Sequence, residues 1–205
     1  MKKNKISKNW INKQNRDKFV KQSKAQGFRS RSSFKLIEMN EKFKFLNKNI
    51  SILDLGSAPG GWSQIVAKKV VNGKILAIDL KPMEKINNVN FINGNFTDKI
   101  VSDSIFEYFD GKIDVVISDM AENTSGNKDL DSYRTGELCI KAMEFSQKIL
   151  NKNGVFLSKL FMGSIFEEIH KKANKYFKKV IKYKPLASRP ESKEIYIYCK
   201  GISKV

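Results

Sequence analysis

Short apolar and β-branched runs alternate along the chain with segments of helical periodicity. The strand-like runs lie near residues 50–55, 74–79, 89–92, 113–118, 154–160, 177–183 and 194–200. The helix-like segments lie near residues 62–71, 102–110, 131–151 and 164–176. The runs IDVVIS and GVFLSKL are almost continuously apolar or β-branched, which is typical of parallel strands covered on both faces. The pattern therefore predicts an α/β fold with a seven-stranded, mostly parallel sheet.

The last two predicted strands, FKKVIKY and EIYIYCK, differ from the others. Only KPLASRPESK joins them, which is too short for the helical crossover that parallel strands need, so we expect an antiparallel pair at the end of the sheet. Residues 1–30 are basic and polar, and we expect them to form a partly mobile N-terminal arm. No repeat or long linker interrupts the remainder, so residues 31–205 are predicted to form a single domain.

Composition adds a candidate partner. The chain has 205 residues, of which 40% are hydrophobic and 11% aromatic, and its formal net charge is +18. Residues 1–50 carry 15 basic and 3 acidic side chains, residues 171–205 carry 11 and 2, and residues 51–170 carry 13 and 16. Positive charge concentrated at both ends indicates binding to a polyphosphate such as RNA. A set of solvated lysine faces is the alternative.

Several classes of protein are disfavoured by what the sequence lacks. No run approaches the roughly 18 apolar residues of a membrane span, and the basic N-terminus lacks the apolar core of a secretory signal. We therefore expect a soluble, cytoplasmic protein without a membrane partner, with an organellar matrix as the alternative location. Cys139, Cys199 and the single histidine, His170, have no metal-ligand spacing, which argues against zinc chemistry and histidine triads.

The run LDLGSAPGGWSQ, residues 53–64, places glycines on a turn between a predicted strand and a predicted helix. Ligands of parallel sheets bind beyond the carboxyl ends of the strands, where this turn should lie. A phosphate-binding P-loop would have lysine after the last glycine, where this chain has Trp62, and the dinucleotide pattern G-x-G-x-x-G is absent. A nucleoside without phosphates fits better, with Asp79 at the end of the second strand accepting hydrogen bonds from ribose hydroxyls. S-adenosylmethionine meets this description, and a turn needed only for close packing is the alternative.

Two ionisable residues end predicted central strands. Asp119 follows IDVVI, and a carboxylate at that position is directed toward ligand. The next residues, 120–122, provide neither the proline pair nor the aromatic that amine-methylating enzymes place there, so methylation of exocyclic amines is disfavoured. Lys159 ends GVFLSKL, where burial would favour the neutral amine of a base, although a lysine extending to solvent fits equally well. From the pattern alone, we interpret Glu194 as a structural residue at the start of a strand, and Lys35 as a residue that contacts phosphate.

Six motifs taken together resemble the FtsJ-like (RrmJ-type) ribosomal RNA large-subunit 2′-O-methyltransferases. They are GFRSRSSFKL, DLGSAPGGWSQ, AIDLKPM, SDMAENTSG, SKLFMG and SRPESKEIYIYCKG. The resemblance covers about residues 10–201 and implies a Rossmann-like class I methyltransferase fold that uses S-adenosylmethionine and releases S-adenosylhomocysteine. It also implies a catalytic tetrad of Lys35, Asp119, Lys159 and Glu194, with Lys159 as the base, Asp119 orienting it and Glu194 positioning Lys35 or the ribose.

The resemblance implies cofactor contacts as well. With the rest of the glycine turn included, the expected cofactor-binding residues are Gly56, Ala58, Pro59, Gly60, Gly61, Trp62, Asp79, Asn95 and Asp119. The sequence departs from the family twice, with Asn95 where members usually carry aspartate and Glu122 where they carry proline. An amide still accepts a hydrogen bond, so the first change bears on cofactor affinity and the second on local loop geometry.

By the same resemblance, the substrate is a uridine ribose in large-subunit ribosomal RNA, within a ribosomal particle, and we expect a monomer. The basic arm is expected to grip RNA through Trp10, Arg16, Arg29 and Arg31. A transfer-RNA or mRNA-cap ribose methyltransferase is one alternative, and a non-catalytic RNA-binding assembly factor is another. A dehydrogenase is a third, which the glycine turn disfavours.

Overall fold

The computed structural model describes residues 17–122 and 125–203 of the chain. Its helices are α1 (Lys18–Ala25), α2 (Ser33–Phe43), α3 (Gly61–Lys69), α4 (Lys99–Phe109), α5 (Lys128–Ile149) and α6 (Phe166–Tyr176). Its strands are β1 (Ile52–Leu55), β2 (Ile75–Asp79), β3 (Asn90–Asn93), β4 (Ile113–Ser118), β5 (Leu150–Phe161), β6 (Phe177–Tyr183) and β7 (Glu194–Ile202). None of these six helices, within the described ranges, combines the length and apolarity needed to cross a bilayer.

All seven strands form one sheet in the order β3-β2-β1-β4-β5-β7-β6. The pairs β3–β2, β2–β1, β1–β4 and β4–β5 are parallel, whereas β7 runs antiparallel to both β5 and β6. The predicted α/β fold with a mostly parallel sheet and an antiparallel last strand is confirmed. The strand order reverses beside β1, so the loops after β1 and β4 leave the sheet next to one another, where open α/β sheets bind ligands.

The sheet is covered on both faces. One apolar cluster joins α2 and α3 to one face, and a second joins α4, α5 and α6 to the other. Alternate residues of a central strand therefore enter different clusters: on β1, Ile52 faces α2 and α3, while Leu53 and Leu55 face the opposite helices. Burial on both faces explains why these strands are continuously apolar in sequence.

The element boundaries differ from the sequence-based prediction by a few residues. Helix α5 begins at Lys128 rather than near 131, because Asn127 caps it by accepting hydrogen bonds from two backbone N–H groups of the first turn. Strand β5 begins at Leu150, immediately after α5 ends, rather than near 154. The polar residues 151–153 follow Leu150 in this strand, and their pattern did not indicate extended structure.

The described part of the N-terminal segment includes a short helix. Asp17 caps α1 by accepting a hydrogen bond from the backbone of Phe19 at 3.0 Å. The ring of Phe19 packs against that of Phe34 in α2, with 5.4 Å between centroids. Helix α1 is thereby attached to the domain. Residues 1–16 of the predicted arm over residues 1–30 lie outside the described residues, and the mobile arm stays a prediction.

Candidate active site

Polar side chains end three neighbouring strands on the face covered by α2 and α3. Along each strand, alternate positions on this face are apolar until the carboxyl end, where the next position is charged. In each strand, the charged residue lies two positions after the last apolar residue of this face: Asp54 after Ile52, Asp119 after Ile117, and Lys159 after Leu157. Strand β7 is antiparallel to β5, so its first residue, Glu194, reaches the same edge of the sheet.

Asp119 and Lys159 form one ion pair of the site. The Lys159 Nζ atom donates to the backbone oxygen of Asp119 at 2.5 Å and lies 3.1 Å from the carboxylate Oδ1. The hydroxyl of Tyr196 donates to the same Oδ1 at 2.7 Å. Tyr196 lies directly opposite Lys159 in the β5–β7 register, so the strand pairing alone places both donors beside Asp119.

Lys35 and Glu194 form the second ion pair. The Lys35 Nζ atom is 2.6 Å from Oε1 and 2.7 Å from Oε2 of Glu194, and the Ser188 hydroxyl also donates to Oε1 at 2.7 Å. Lys35 Nζ lies 5.8 Å from the centroid of the Tyr196 ring, so the two ion pairs meet on either side of this tyrosine. The structure thus brings the four predicted catalytic residues together. Nothing in the fold alone assigns their roles.

The charges in this cluster determine the protonation of Asp119 and Tyr196. Burial raises the pKa of Asp119, but the attraction of Lys159 and Lys35 and the hydrogen bonds from Tyr196 and Lys159 outweigh it, so the net pKa is lowered. Burial, together with the nearby carboxylates of Asp119 and Glu194, raises the pKa of Tyr196 well above its ordinary value. The site therefore holds an ionised aspartate next to a phenol that remains protonated and donates.

Helix α2 holds Lys35 in position because contacts on both sides of this residue fix the helix. The Ser33 hydroxyl donates to the backbone oxygen of Gly61, and the indole nitrogen of Trp62 donates to that of Ser32, each at 2.9 Å. These bonds join the start of α2 to the glycine turn. On the opposite side, the Glu38 carboxylate accepts hydrogen bonds from the hydroxyl of Tyr183 and from the backbone N–H groups of residues 186 and 187. Helix α2 therefore connects the turn to the β6–β7 loop that carries Ser188.

The glycine turn packs directly against the loop that carries Asp119. Gly56 has a φ of +75°, and a Cβ atom there would lie 2.2 Å from the Cγ of Met120, so no larger residue fits. Asp79 bridges this turn to the loop after β2, because its Oδ2 accepts from the N–H of Ala58 at 2.9 Å and its Oδ1 from that of Lys81 at 2.8 Å. The turn after β1 is thus held against both the loop after β2 and the loop after β4.

Two further predicted cofactor residues already have internal partners. The side chain of Trp62 is 2% exposed and packs near Tyr196, with 5.8 Å between rings, so only its main chain can face a ligand. The Oδ1 atom of Asn95 accepts from both the N–H and the hydroxyl of Thr97, at 3.1 and 2.8 Å. The amide nitrogen of Asn95, a donor, is the group left for a ligand. A cofactor role for these residues stays a prediction.

Sequence reasoning placed Asp54 with the glycine run at the ligand edge of the sheet but assigned it no role of its own. Its side chain is buried, with Oδ2 accepting from the Ser63 hydroxyl at 2.6 Å and Oδ1 without a partner among the described residues. Burial raises the pKa of Asp54 to about 7, an effect that the Ser63 hydrogen bond opposes and the charges of Asp119 and Asp79 reinforce. The alternation on β1 carried the signal, because Asp54 occupies a position that packing alone would make apolar.

Of the four residues predicted to contact RNA, the structure describes Arg29 and Arg31. Trp10 and Arg16 lie outside the described residues. The guanidinium of Arg31 pairs with the carboxylate of Asp17 and donates to the backbone oxygen of Ala187. That of Arg29 donates to three backbone oxygens in the glycine turn and the loop after β2. Both arginines are therefore engaged within the protein, and their binding to RNA stays a prediction.

The two cysteines of the chain belong to the apolar cluster on the opposite face of the sheet. Cys139 and Cys199 are both buried, and burial raises the pKa of the Cys139 thiol to about 12, which makes it unreactive. Within residues 17–122 and 125–203, no group of three or more His, Cys, Asp or Glu side chains is arranged to hold a metal ion. The chemistry available at this edge of the sheet is that of lysines, carboxylates and a phenol.

The raised pKa of Asp54 leads to a specific prediction about how the stability of the protein depends on pH. Its folded pKa of about 7 exceeds the ordinary 3.8, so its contribution is fully present below pH 3.8 and is lost as the pH rises through 7. Asp54→Asn removes this loss. Urea unfolding at pH 4.5 and pH 8 should show the variant gaining roughly 3 kcal/mol on the wild type between the two pH values. The control is Asp103→Asn, whose side chain is 63% exposed, and an equal response of both variants would contradict the assignment.

Comparison with known proteins agrees with this architecture. A family model described as FtsJ-like methyltransferase matches residues 28–202. The ribosomal RNA large subunit methyltransferase E of Pelagibacter ubique (strain HTCC1062) is 53% identical over 200 residues, which cover 98% of both chains. The crystal structure of a ribosomal RNA methyltransferase from Plasmodium falciparum matches with a TM-score of 0.77 and 34% identity, over 85% of this chain and 98% of that one.

A more distant structure shares the fold alone. It is a methyltransferase from Streptococcus mutans in complex with S-adenosylhomocysteine, 14% identical, with a TM-score of 0.52 over 82% of this chain and 94% of its own. The family match, by contrast, spans nearly all of the described residues, and the Pelagibacter relative matches from end to end. This chain therefore belongs to the FtsJ-like methyltransferase family.

Proposed function

We propose that this protein transfers a methyl group from S-adenosylmethionine to the 2′ hydroxyl of a uridine ribose in large-subunit ribosomal RNA. The observation that carries the proposal is the meeting of two lysine–carboxylate pairs at one edge of the sheet, beside a glycine turn. Family membership supplies methyl transfer, and the names of the relatives point to ribosomal RNA. The lysine cluster supports a hydroxyl as the acceptor, because a hydroxyl must lose a proton to be methylated.

The residues around the glycine turn fit the cofactor. Asp79 lies at the end of β2 with its carboxylate at the turn, where it would accept hydrogen bonds from ribose hydroxyls. The buried Oδ1 of Asp54, which has no partner within the described part of the chain, is an acceptor suited to the ammonium group of the methionine part. Gly56 leaves no space for a side chain between the turn and Met120, so the turn lies directly against the loop that carries Asp119. When bound, S-adenosylmethionine supplies an electrophilic methyl group on a positively charged sulfonium.

Asp119, Lys159 and the Lys35–Glu194 pair have separate tasks in the proposed reaction. Asp119 is held ionised and orients the ribose hydroxyl and the amine of Lys159. Lys159 removes the hydroxyl proton, since its Nζ atom lies beside the Asp119 carboxylate that orients the hydroxyl. Glu194 fixes Lys35, which offers its remaining N–H donor to the ribose. General base catalysis of this kind is worth about 10²- to 10⁴-fold, and alignment of the reacting atoms adds to it.

The distribution of charge supports a large RNA as the substrate. Residues 1–50 and 171–205 carry most of the positive charge, and the strands and helices of the middle segment form the fold that places the site. Phosphate contacts of this kind release counterions, so affinity should fall steeply as salt rises. We propose that the substrate is recognised within a ribosomal particle and that the chain acts as a monomer.

Lys159→Ala should lower methyl transfer by at least roughly 100-fold while leaving S-adenosylhomocysteine affinity nearly unchanged, because the amine acts on the hydroxyl rather than on the cofactor. Single-turnover transfer from labelled cofactor and calorimetric binding measure the two quantities. Lys152→Ala is the matched control, an exposed lysine at the opposite end of the same strand. Loss of cofactor binding together with transfer would make Lys159 a structural residue.

The substrate itself can be identified by mapping ribose methylation in cells with and without this protein. The proposal predicts the loss of one 2′-O-methyluridine from large-subunit ribosomal RNA and its return when the wild-type gene, but not the Lys159→Ala gene, is restored. Loss of a methyl group from transfer RNA instead would contradict the proposed substrate. An unchanged map would favour a non-catalytic assembly factor.

A further inference from the structure

We infer that Arg29 is a positioning residue of the cofactor site, which holds the loop between β2 and β3, residues 80–89, against the glycine turn. The inference rests on the proposed function, since it concerns how that site is kept in shape. It also separates Arg29 from the RNA contacts that the sequence predicted, although the residue lies within the basic N-terminal segment.

The guanidinium of Arg29 joins two segments that are distant in sequence. Its Nη1 atom donates to the backbone oxygens of Pro59 at 3.2 Å and Glu84 at 2.7 Å, and its Nη2 atom donates to that of Lys85 at 3.0 Å. A planar guanidinium presents its donors in a rigid fork, which lets one side chain bind several fixed oxygens at once. One arginine thereby connects the turn after β1 to the loop after β2.

Arg29 is itself fixed to the helix that begins in the glycine turn. Its backbone N–H donates to the side-chain oxygen of Gln64 at 2.8 Å, and the Gln64 amide nitrogen donates to the backbone oxygen of Gly27 at 3.1 Å. Gln64 belongs to α3, which starts at Gly61. The connection between α1 and α2 is therefore attached to α3, and the guanidinium extends from a fixed base.

Packing at Gly60 shows how closely the loop covers the turn. Gly60 has a φ of +109°, and a Cβ atom there would lie 2.8 Å from Nη1 of Arg29, 2.9 Å from Cδ1 of Ile86 and 3.0 Å from Sδ of Met83. Residues 80–89, all of them described, include no helix or strand. A loop without regular structure depends on such outside contacts for its position.

The position of this loop matters because it begins next to Asp79. One oxygen of the Asp79 carboxylate accepts from the N–H of Ala58 in the turn, and the other from that of Lys81 in the loop. A shift of the loop relative to the turn would therefore pull on the carboxylate proposed to bind the cofactor ribose. Arg29 resists that shift from the outer side of the turn, where it also binds the Pro59 oxygen.

An RNA-binding role fits the neighbours of Arg29 better than Arg29 itself. Arg29, Lys68 and Lys85 line a surface pocket of about 430 Å³. The two lysines are exposed, whereas the Arg29 side chain is 20% exposed and its donors face backbone oxygens. A phosphate at this surface would be contacted by the lysines. Substituting each residue separately therefore distinguishes the two roles.

The experiment compares Arg29→Ala and Arg29→Lys with the matched controls Lys68→Ala and Lys85→Ala in the full chain. Calorimetry measures S-adenosylhomocysteine affinity, filter binding at several salt concentrations measures affinity for a ribosomal RNA fragment, and hydrogen exchange follows residues 80–89. Thermal unfolding identifies any variant that does not fold.

We expect Arg29→Ala to weaken S-adenosylhomocysteine binding roughly 10- to 100-fold, because hydrogen bonds from a charged donor are among the stronger ones. Exchange should rise in residues 80–89, while RNA affinity and its salt dependence stay at the wild-type level. Arg29→Lys should recover only part of the cofactor affinity, since an ammonium cannot reach oxygens on both segments. Lys68→Ala and Lys85→Ala should leave cofactor binding unchanged.

Unchanged cofactor affinity in a folded Arg29→Ala protein, with weaker RNA binding and a shallower salt dependence, would overturn the inference and assign Arg29 to RNA. Full recovery by Arg29→Lys would likewise overturn it, because charge alone would then suffice. Failure of the wild type to bind S-adenosylhomocysteine at all would instead contradict the proposed function.

Discussion

The rest of this structure depends on one constraint, the pairing of buried charges. Two lysines and two carboxylates are removed from water at one edge of the sheet. An unpaired charge in such a place costs several kcal/mol, so each amine must have a carboxylate within hydrogen-bond distance. Lys35 satisfies this with Glu194, and Lys159 with Asp119. Tyr196 lies between the two ion pairs, and its hydroxyl donates a hydrogen bond to Asp119. The pairing keeps charged groups where a polar substrate must react.

The topology supplies the residues that this constraint requires. Strands β4 and β5 are parallel and present Asp119 and Lys159 at their carboxyl ends, whereas Glu194 can join them only because β7 runs in the opposite direction. Lys35 comes from α2, which is attached to the glycine turn at its first residue and to the β6–β7 loop through Glu38 in its middle. The same contacts bring the cofactor turn to the charged cluster, so the reacting groups are aligned by the fold rather than by flexible side chains.

Local patterns in the sequence predicted the sheet and half of the cluster. Alternating and continuous apolar runs identified the strands, and Asp119 and Lys159 stood out because each ends a buried run. Lys35 and Glu194 carry no such signal, since 159 residues separate the partners, and only the family resemblance selected them. Tyr196 was missed, and Asp54 was given no role of its own, because residues inside a strand look like core. Arg29 shows that a positive charge in a sequence does not reveal whether its partner is RNA or backbone.

The most direct test of the central claim is a crystal structure with S-adenosylhomocysteine and an oligoribonucleotide that contains the target uridine. The account predicts one 2′ oxygen at hydrogen-bond distance, about 3 Å, from Lys159 Nζ, with the Asp119 and Lys35–Glu194 pairs around the same ribose. A ribose bound with its 2′ oxygen more than roughly twice that distance from both lysine amines would contradict the account.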